Sequence, residues 1–146
     1  MGGTGAAGLL SSLEVFDPVT NVWTVKAAMP TARALFGIAV LDGKIHTIGG
    51  AAAGVEQTID EVYDPATDAW SSGDALPSGR IGCGAATING ALYVVGGGTN
   101  AVAFNSNFAY SPWHLKPQLP IAATEIAFAR VAGKLLAIGG NLGGGP

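Results

Sequence analysis

Apolar positions along this chain fall in short runs, and each run stops at a turn signal. No stretch keeps the spacing of an amphipathic helix, so the pattern predicts antiparallel strands with frequent turns. Leu13 to Phe16 is a first strand, broken by Asp17-Pro18. The Asp side chain accepts from backbone two residues on, and Pro presets φ. Asn21 to Val25 returns. Beyond a loop from Lys26 to Arg33, Leu35 to Leu41 and Lys44 to Ile48 form a hairpin across Asp42-Gly43. That dipeptide suits the positive φ that both turn positions need.

The same succession then recurs. Ala51 to Thr58 reads as loop, Ile59 to Tyr63 and Ala69 to Ser71 as strands about a turn at Asp64 to Asp68, and Gly73 to Arg80 as loop. Ile81 to Ile88 and Ala91 to Val95 make a hairpin across Asn89-Gly90. A third pass runs through Ala103 to Tyr110, Trp113 to Leu115, a loop at Lys116 to Ile121, and a hairpin of Thr124 to Val131 with Lys134 to Ile138. Its turn, Ala132-Gly133, is poorer, because Ala resists φ > 0.

The recurrence has a fixed period, the signature of repeat architectures. An interval of 47 relates Asp17 to Asp64, Trp23 to Trp70, Pro30 to Pro77, Arg33 to Arg80, Gly43 to Gly90, and Gly49-Gly50 to Gly96-Gly97, without a gap. Gly2-Gly3 lies the same distance before Gly49-Gly50. In the third unit Trp113, Pro120, Gly133 and Gly139-Gly140 follow their counterparts by 43, because four residues are lost between Tyr110 and Trp113. The Asp-Pro-Ala-Thr turn has shrunk there to Ser111-Pro112.

One repeat region of 1–146 follows: 1–50 holds the end of one repeat and the first full unit, 51–97 the second, 98–140 the degraded third, and 141–146 a flexible Gly-rich tail. With 49% apolar residues there is ample material for a core. A net charge of −3 with no basic cluster argues against nucleic acid and anionic membrane as partners. Residues 81–115 carry no Asp, Glu, Lys or Arg, yet Gly and Asn interrupt them too often for a membrane span. Met1 to Ser12 lacks the features of a signal peptide, and the compartment stays open. The single cysteine, Cys83, excludes an internal disulfide and any multi-cysteine metal site.

A Gly doublet, an aromatic-Asp-Pro-x-Thr-x-x-Trp element and an Arg three residues after Pro together resemble the kelch repeat. The residues are Phe16, Asp17, Trp23, Arg33, Gly49 and Gly50, then Tyr63, Asp64, Trp70, Arg80, Gly96 and Gly97. The resemblance implies an all-β kelch-type β-propeller fragment with antiparallel four-stranded blades. It places small residues such as Gly37, Ala39 and Gly82 to Ala86 on inner strands, and Trp23, Trp70 and Trp113 on outer strands against the neighbouring sheet. It makes Gly49, Gly50, Gly96, Gly97, Gly139 and Gly140 structural. The loops after the Gly doublets and before the inner strands then share one face, opposite the tight turns. By this count the chain holds two whole blades and two half blades, fewer than the usual ring. It is then either part of a longer protein or one of two copies that close a six-bladed ring in trans.

The expected function is a non-enzymatic scaffold that binds a protein or peptide, or a carbohydrate, through its longer-loop face. No cofactor and no metal are expected. The rival reading is part of a propeller enzyme acting on carbohydrate, galactose oxidase-like or sialic acid epimerase-like. The copper type needs a Tyr–Cys pair, another Tyr and two His, and Cys83, Tyr63, Tyr93, Tyr110, His46 and His114 carry no matching motif. Arg33, Arg80 and Glu125 are the candidate ligand-binding residues: the arginines suit an acidic peptide or sugar acid, or else bond within the blade wall. Ala123 takes their place in the third unit. Gly3-Thr4-Gly5-Ala6-Ala7-Gly8 matches a dinucleotide fingerprint but lacks a preceding strand and a following helix.

Overall fold

The computed structural model describes residues 1–110 and 112–141. In chain order the strands are β1 (Thr4–Gly5), β2 (Gly8–Leu9), β3 (Leu13–Asp17), β4 (Val22–Lys26), β5 (Gly37–Leu41), β6 (Lys44–Ile48), β7 (Ala51–Ala52) and β8 (Val55–Glu56). There follow β9 (Asp60–Asp64), β10 (Ala69–Ser72), β11 (Gly84–Ile88), β12 (Ala91–Val95), β13 (Asn107–Ala109), β14 (His114–Lys116), β15 (Ala127–Val131) and β16 (Lys134–Ile138). Among the described residues no helix is long and apolar enough to cross a membrane.

Two complete antiparallel blades stand at the centre, β5-β6-β9-β10 and β11-β12-β13-β14, each running from an inner strand to an outer one. Before them lies the outer pair β3-β4, and after them the inner pair β15-β16. The main core is the seam between the complete blades: Ala39, Ile48, Leu76, Cys83, Leu92 and Val94 are buried together, with Tyr110 and Trp113 packed on them. The inner strands touch closely there. A Cβ on Gly37 would come within 3.1 Å of the Ala85 Cβ and 3.3 Å of Cys83 Sγ, which is why small residues fill this layer.

Turn chemistry follows the sequence. Asp17 Oδ1 accepts from Val19 N–H (2.8 Å) and Asp64 Oδ1 from Ala66 N–H (2.9 Å). Those bonds hold both carboxyls below the usual carboxylate range. Asp42-Gly43 and Asn89-Gly90 take positive φ at both positions, and so does Ala132-Gly133 despite its alanine. Gly50 leaves β6 at φ 91°, and a Cβ there would meet the Ala34 carbonyl at 2.6 Å.

Several boundaries differ from expectation, among them β13, which begins at Asn107 and not at Ala103. The inner strands begin at Gly37, Gly84 and Ala127, not at Leu35, Ile81 and Thr124, because Leu35, Gly82 and Glu125 turn the chain through positive φ. The stretches 4–11 and 51–58 each contain a miniature hairpin, β1-β2 and β7-β8, with Ala53-Gly54 at φ 49° and 78°. Ser111, half of the shortened turn, and the tail from 142 onward lie outside the described residues.

Candidate binding site

Each blade is fed from the loop face by a residue in left-handed conformation. Leu35, Gly82 and Glu125 stand at equivalent repeat positions with φ of 59°, 60° and 55°. For leucine and glutamate this conformation costs about 1–2 kcal/mol each. A backbone belt fixes it: Gly82 N–H donates to the Leu35 carbonyl and Glu125 N–H to the Gly82 carbonyl, both at 2.8 Å. The belt runs from one inner strand to the next around the axis.

On this belt opens a cavity of about 220 Å³, lined by Leu35, Gly82 and Glu125 and walled by Thr99 to Ala103 and Asn141. The loop is held in shape by Thr99 Oγ1, which accepts from Ala101 and Val102 N–H, and by Glu56, whose Oε1 accepts from Asn100 N–H at 2.9 Å. That bond lowers the Glu56 pKa. The loops after the Gly doublets and those before the inner strands meet on this face: Gly50 N–H bonds the Arg80 carbonyl and Arg80 N–H the Gln57 carbonyl.

The arginines are elsewhere. Arg33 is fully buried and donates to the Gly49 and Thr47 carbonyls, to Thr47 Oγ1 and to Glu61 Oε2 at 2.9 Å. Arg80 is 1% exposed. It donates to the Gly96 carbonyl, Ser106 Oγ and Ser78 Oγ, and its guanidinium lies 4.8 Å from the Phe108 ring centroid. Burial pulls its pKa down. Both arginines bond within the blade wall, each with a buried Nε left without a partner, and of the three candidates only Glu125 is exposed on the cavity. Leu35 was the residue that sequence reasoning missed, although Gly82 at the equivalent position carried the signal.

The other chemistry-bearing groups are dispersed. His46 Nδ1 and Asp60 Oδ2 are a buried pair at 2.8 Å within one blade. His114 sits on an outer strand against the Pro112 carbonyl. Cys83 is buried, its thiol pKa raised by desolvation. Tyr63 Oη donates to Asp68 Oδ1 at 2.7 Å, and burial with this bond pushes its pKa up to about 12. Among the described residues no three His, Cys, Asp or Glu are grouped to hold a metal ion.

The indoles join the blades. Trp70 Nε1 donates to the Ala27 carbonyl (2.8 Å), and Trp113 Nε1 to the Asp74 carbonyl (2.7 Å), each in the preceding blade's outer loop. The family model for the Kelch motif matches residues 1–30 and 79–116. The chain carries kelch repeats. Kelch-like protein 15 of Danio rerio is 51% identical over 39 residues, 27% of this chain and 6% of that protein. Kelch-like protein 35 of Homo sapiens is 42% identical over 43 residues, 30% and 7%. Kelch-like ECH-associated protein 1A of Danio rerio is 43% identical over 42 residues, 29% and 7%. The solved structure of YjhT superposes with a TM-score of 0.82 at 21% identity, covering 94% of this chain and 46% of that one. These kelch repeats thus form part of a β-propeller, and the chain spans under half of that structure and less than a tenth of the Kelch-like proteins.

Proposed function

We propose that the chain is a binding scaffold whose ligand docks on the loop face, over the axial cavity. The observation that carries this is the fate of the charges. The repeat arginines are spent on wall carbonyls, while Glu125 stands exposed beside an apolar Leu35 and Val102. Such a mouth favours a protein or peptide segment that offers a Lys or Arg with an aliphatic neighbour, since a charged acceptor roughly doubles a hydrogen bond's strength. One relative, Kelch-like ECH-associated protein 1A, is named for an association of its own.

Backbone amide shifts measured while titrating short Lys/Arg-rich, acidic and sugar-acid probes test the reading. The basic peptide should move Gly82, Thr99 to Ala103 and Glu125. Glu125→Gln should weaken it about five- to tenfold. Shifts confined to the Asp42-Gly43 and Asn89-Gly90 face, or a preference for the acidic or sugar-acid probe, would overturn it.

A further inference from the structure

The two repeat arginines differ in what balances their charge. Arg33 Nη2 donates to the Thr47 carbonyl, to Thr47 Oγ1 and to the Glu61 carboxylate, whose other oxygen accepts from Thr31 Oγ1. The repeat interval of 47 carries Thr47 to Val94, Glu61 to Phe108 and Thr31 to Ser78. The second blade has therefore lost both the acid and the threonine. Arg80 is still buried, and among the described residues it has no ion pair. A buried cation without its anion is costly. The Phe104 and Phe108 rings, 5.2 and 4.8 Å from the guanidinium, offset part of that cost. The acid is missing by substitution at an interior position, since the counterparts of Thr31, Thr47 and Glu61 all lie within 78–108.

Ser78 stands where the negative charge is short. It is exposed, and its Oγ accepts from Arg80 Nη2 at 2.9 Å. Nη2 and Nε make one edge of the guanidinium fork. On that edge Nε is buried without a partner, and Nη2 has Ser78 Oγ as its acceptor. Such an edge matches a phosphate, which takes two parallel N–H donors. The backbone also presents the serine. Leu76 N–H bonds the Thr58 carbonyl and Arg80 N–H the Gln57 carbonyl, so Ser78 crests a short segment between two anchors. Ser106 Oγ accepts from Arg80 as well, but it is half-buried and shares Nη1 with the Gly96 carbonyl.

We propose that Ser78 is a phosphorylation site, its phosphate held by Arg80 in the role that Glu61 has beside Arg33. The reaction needs a kinase and a nucleoside triphosphate. Ser78 Oγ bonds to the terminal phosphorus as the bond from that phosphorus to the bridging oxygen breaks. The hydroxyl proton passes to the kinase's base, and the nucleoside diphosphate leaves. Glu56 is the acid of the adjoining hairpin: a Cβ on Gly79 would meet its carbonyl at 2.7 Å. Its carboxylate is engaged with Asn100 N–H. The phosphate dianion replaces a neutral acceptor by a charged one. It thereby fastens the loop 73–80, which carries the Asp74 carbonyl that Trp113 holds, to the second blade.

Phosphoserine installed at 78 during translation should lower the unfolding equilibrium constant in urea about tenfold against the unmodified chain. It should also slow amide exchange across 76–82. In an Arg80→Gln chain the same phosphoserine should bring no gain. Phosphoserine at 71, on the outer strand β10 opposite Val62, should bring none either. Phosphoserine at 31 should raise the constant, because it would meet Glu61 as a like charge. Mass mapping of the protein isolated from its own cells should find phosphate on Ser78. No gain from phosphoserine at 78, an equal gain without Arg80 or at position 71, or no phosphate on Ser78 in cells would overturn the proposal.

Discussion

The two complete blades share a topology but not a chemistry, and the difference lies in how each is fastened. In the first, Arg33 meets a buried acid, Glu61, which also accepts from Thr31 Oγ1 at 2.7 Å. In the second, Arg80 meets hydroxyls and the Phe104 and Phe108 rings instead. The seams differ in the same sense. The first blade grips Ala27 of its predecessor twice: the Trp70 indole donates to its carbonyl, and Asp68 accepts from its N–H at 3.0 Å. The second grips Asp74 through the Trp113 indole, which donates to its carbonyl, and through a bond between the Asp74 backbone and Tyr110, so a neutral phenol stands where the first joint has a carboxylate. The four-residue deletion removed the turn that would have carried a second Asp68. A repeat can therefore lose its turn and its acid while keeping its fold, because backbone ladders and apolar burial persist. What it gives up is the charged acceptor at the joint.

The largest test of that contrast is the arginine pair. Arg33→Met leaves Glu61 buried without a cation, and should lower unfolding free energy by about 3–5 kcal/mol. Arg80→Met leaves no charge behind, only the Gly96 carbonyl and the Ser78 and Ser106 hydroxyls without their donor, and should cost about 1–3 kcal/mol. Urea unfolding of the two variants checks the order. Equal losses would mean that the acid adds nothing to the first blade.

The clamp comes next. Trp113→Phe removes the indole bond that holds the second seam, worth about 1 kcal/mol. Trp70→Phe removes an equivalent bond but leaves the charged acceptor Asp68 on Ala27, where Trp113→Phe leaves the neutral Tyr110 on Asp74; a bond to a charged group is the stronger, so proteolysis should nick the second seam of Trp113→Phe sooner than the first seam of Trp70→Phe.

The clamp also predicts pH behaviour. Asp68 is held below its ordinary range by the Ala27 N–H and then by Tyr63. A depressed acid contributes stability above its unfolded value of 3.8, lost as pH falls through the lower folded value. Tyr63 is raised from 10.0 to about 12. Its contribution is whole below pH 10 and lost as pH rises through about 12. Absorbance titration at alkaline pH should show one tyrosine ionising near 12. Asp68→Asn should bring it down part of the way, because burial, the larger cause, remains.

Much of this was written in the chain. The 47-residue interval, the Asp-Pro turns and the Asn-Gly and Asp-Gly hairpins marked blades and strands, because each turn type demands particular residues. The axial belt was harder to see. Leu35 and Glu125 carry positive φ with side chains that give no local reason for it, and only the hydrogen bonds between neighbouring blades impose it. The arginines left two readings open for a related reason. A repeated cation at the end of a loop looks the same in sequence whether it points to solvent or to the wall, and the deciding carbonyls of Thr47, Gly49 and Gly96 belong to the backbone, where no residue type records them.

The smallest expected effect tests how far backbone strain separates the well-formed turns from the poor one. Asn89-Gly90 and Ala132-Gly133 have nearly the same geometry, φ 51° and 75° against 48° and 71°. Asn tolerates that region because its side chain bonds locally, whereas Ala has only its Cβ to crowd the carbonyl. Ala132→Asn should therefore raise stability by about 1 kcal/mol and slow amide exchange in β15 and β16. Asn89→Ala, the reverse change in the second complete blade, should cost a similar amount. If Ala132→Asn gains nothing while Asn89→Ala loses, the half-blade is already relaxing its turn, and the strain is carried only where four strands hold the hairpin closed.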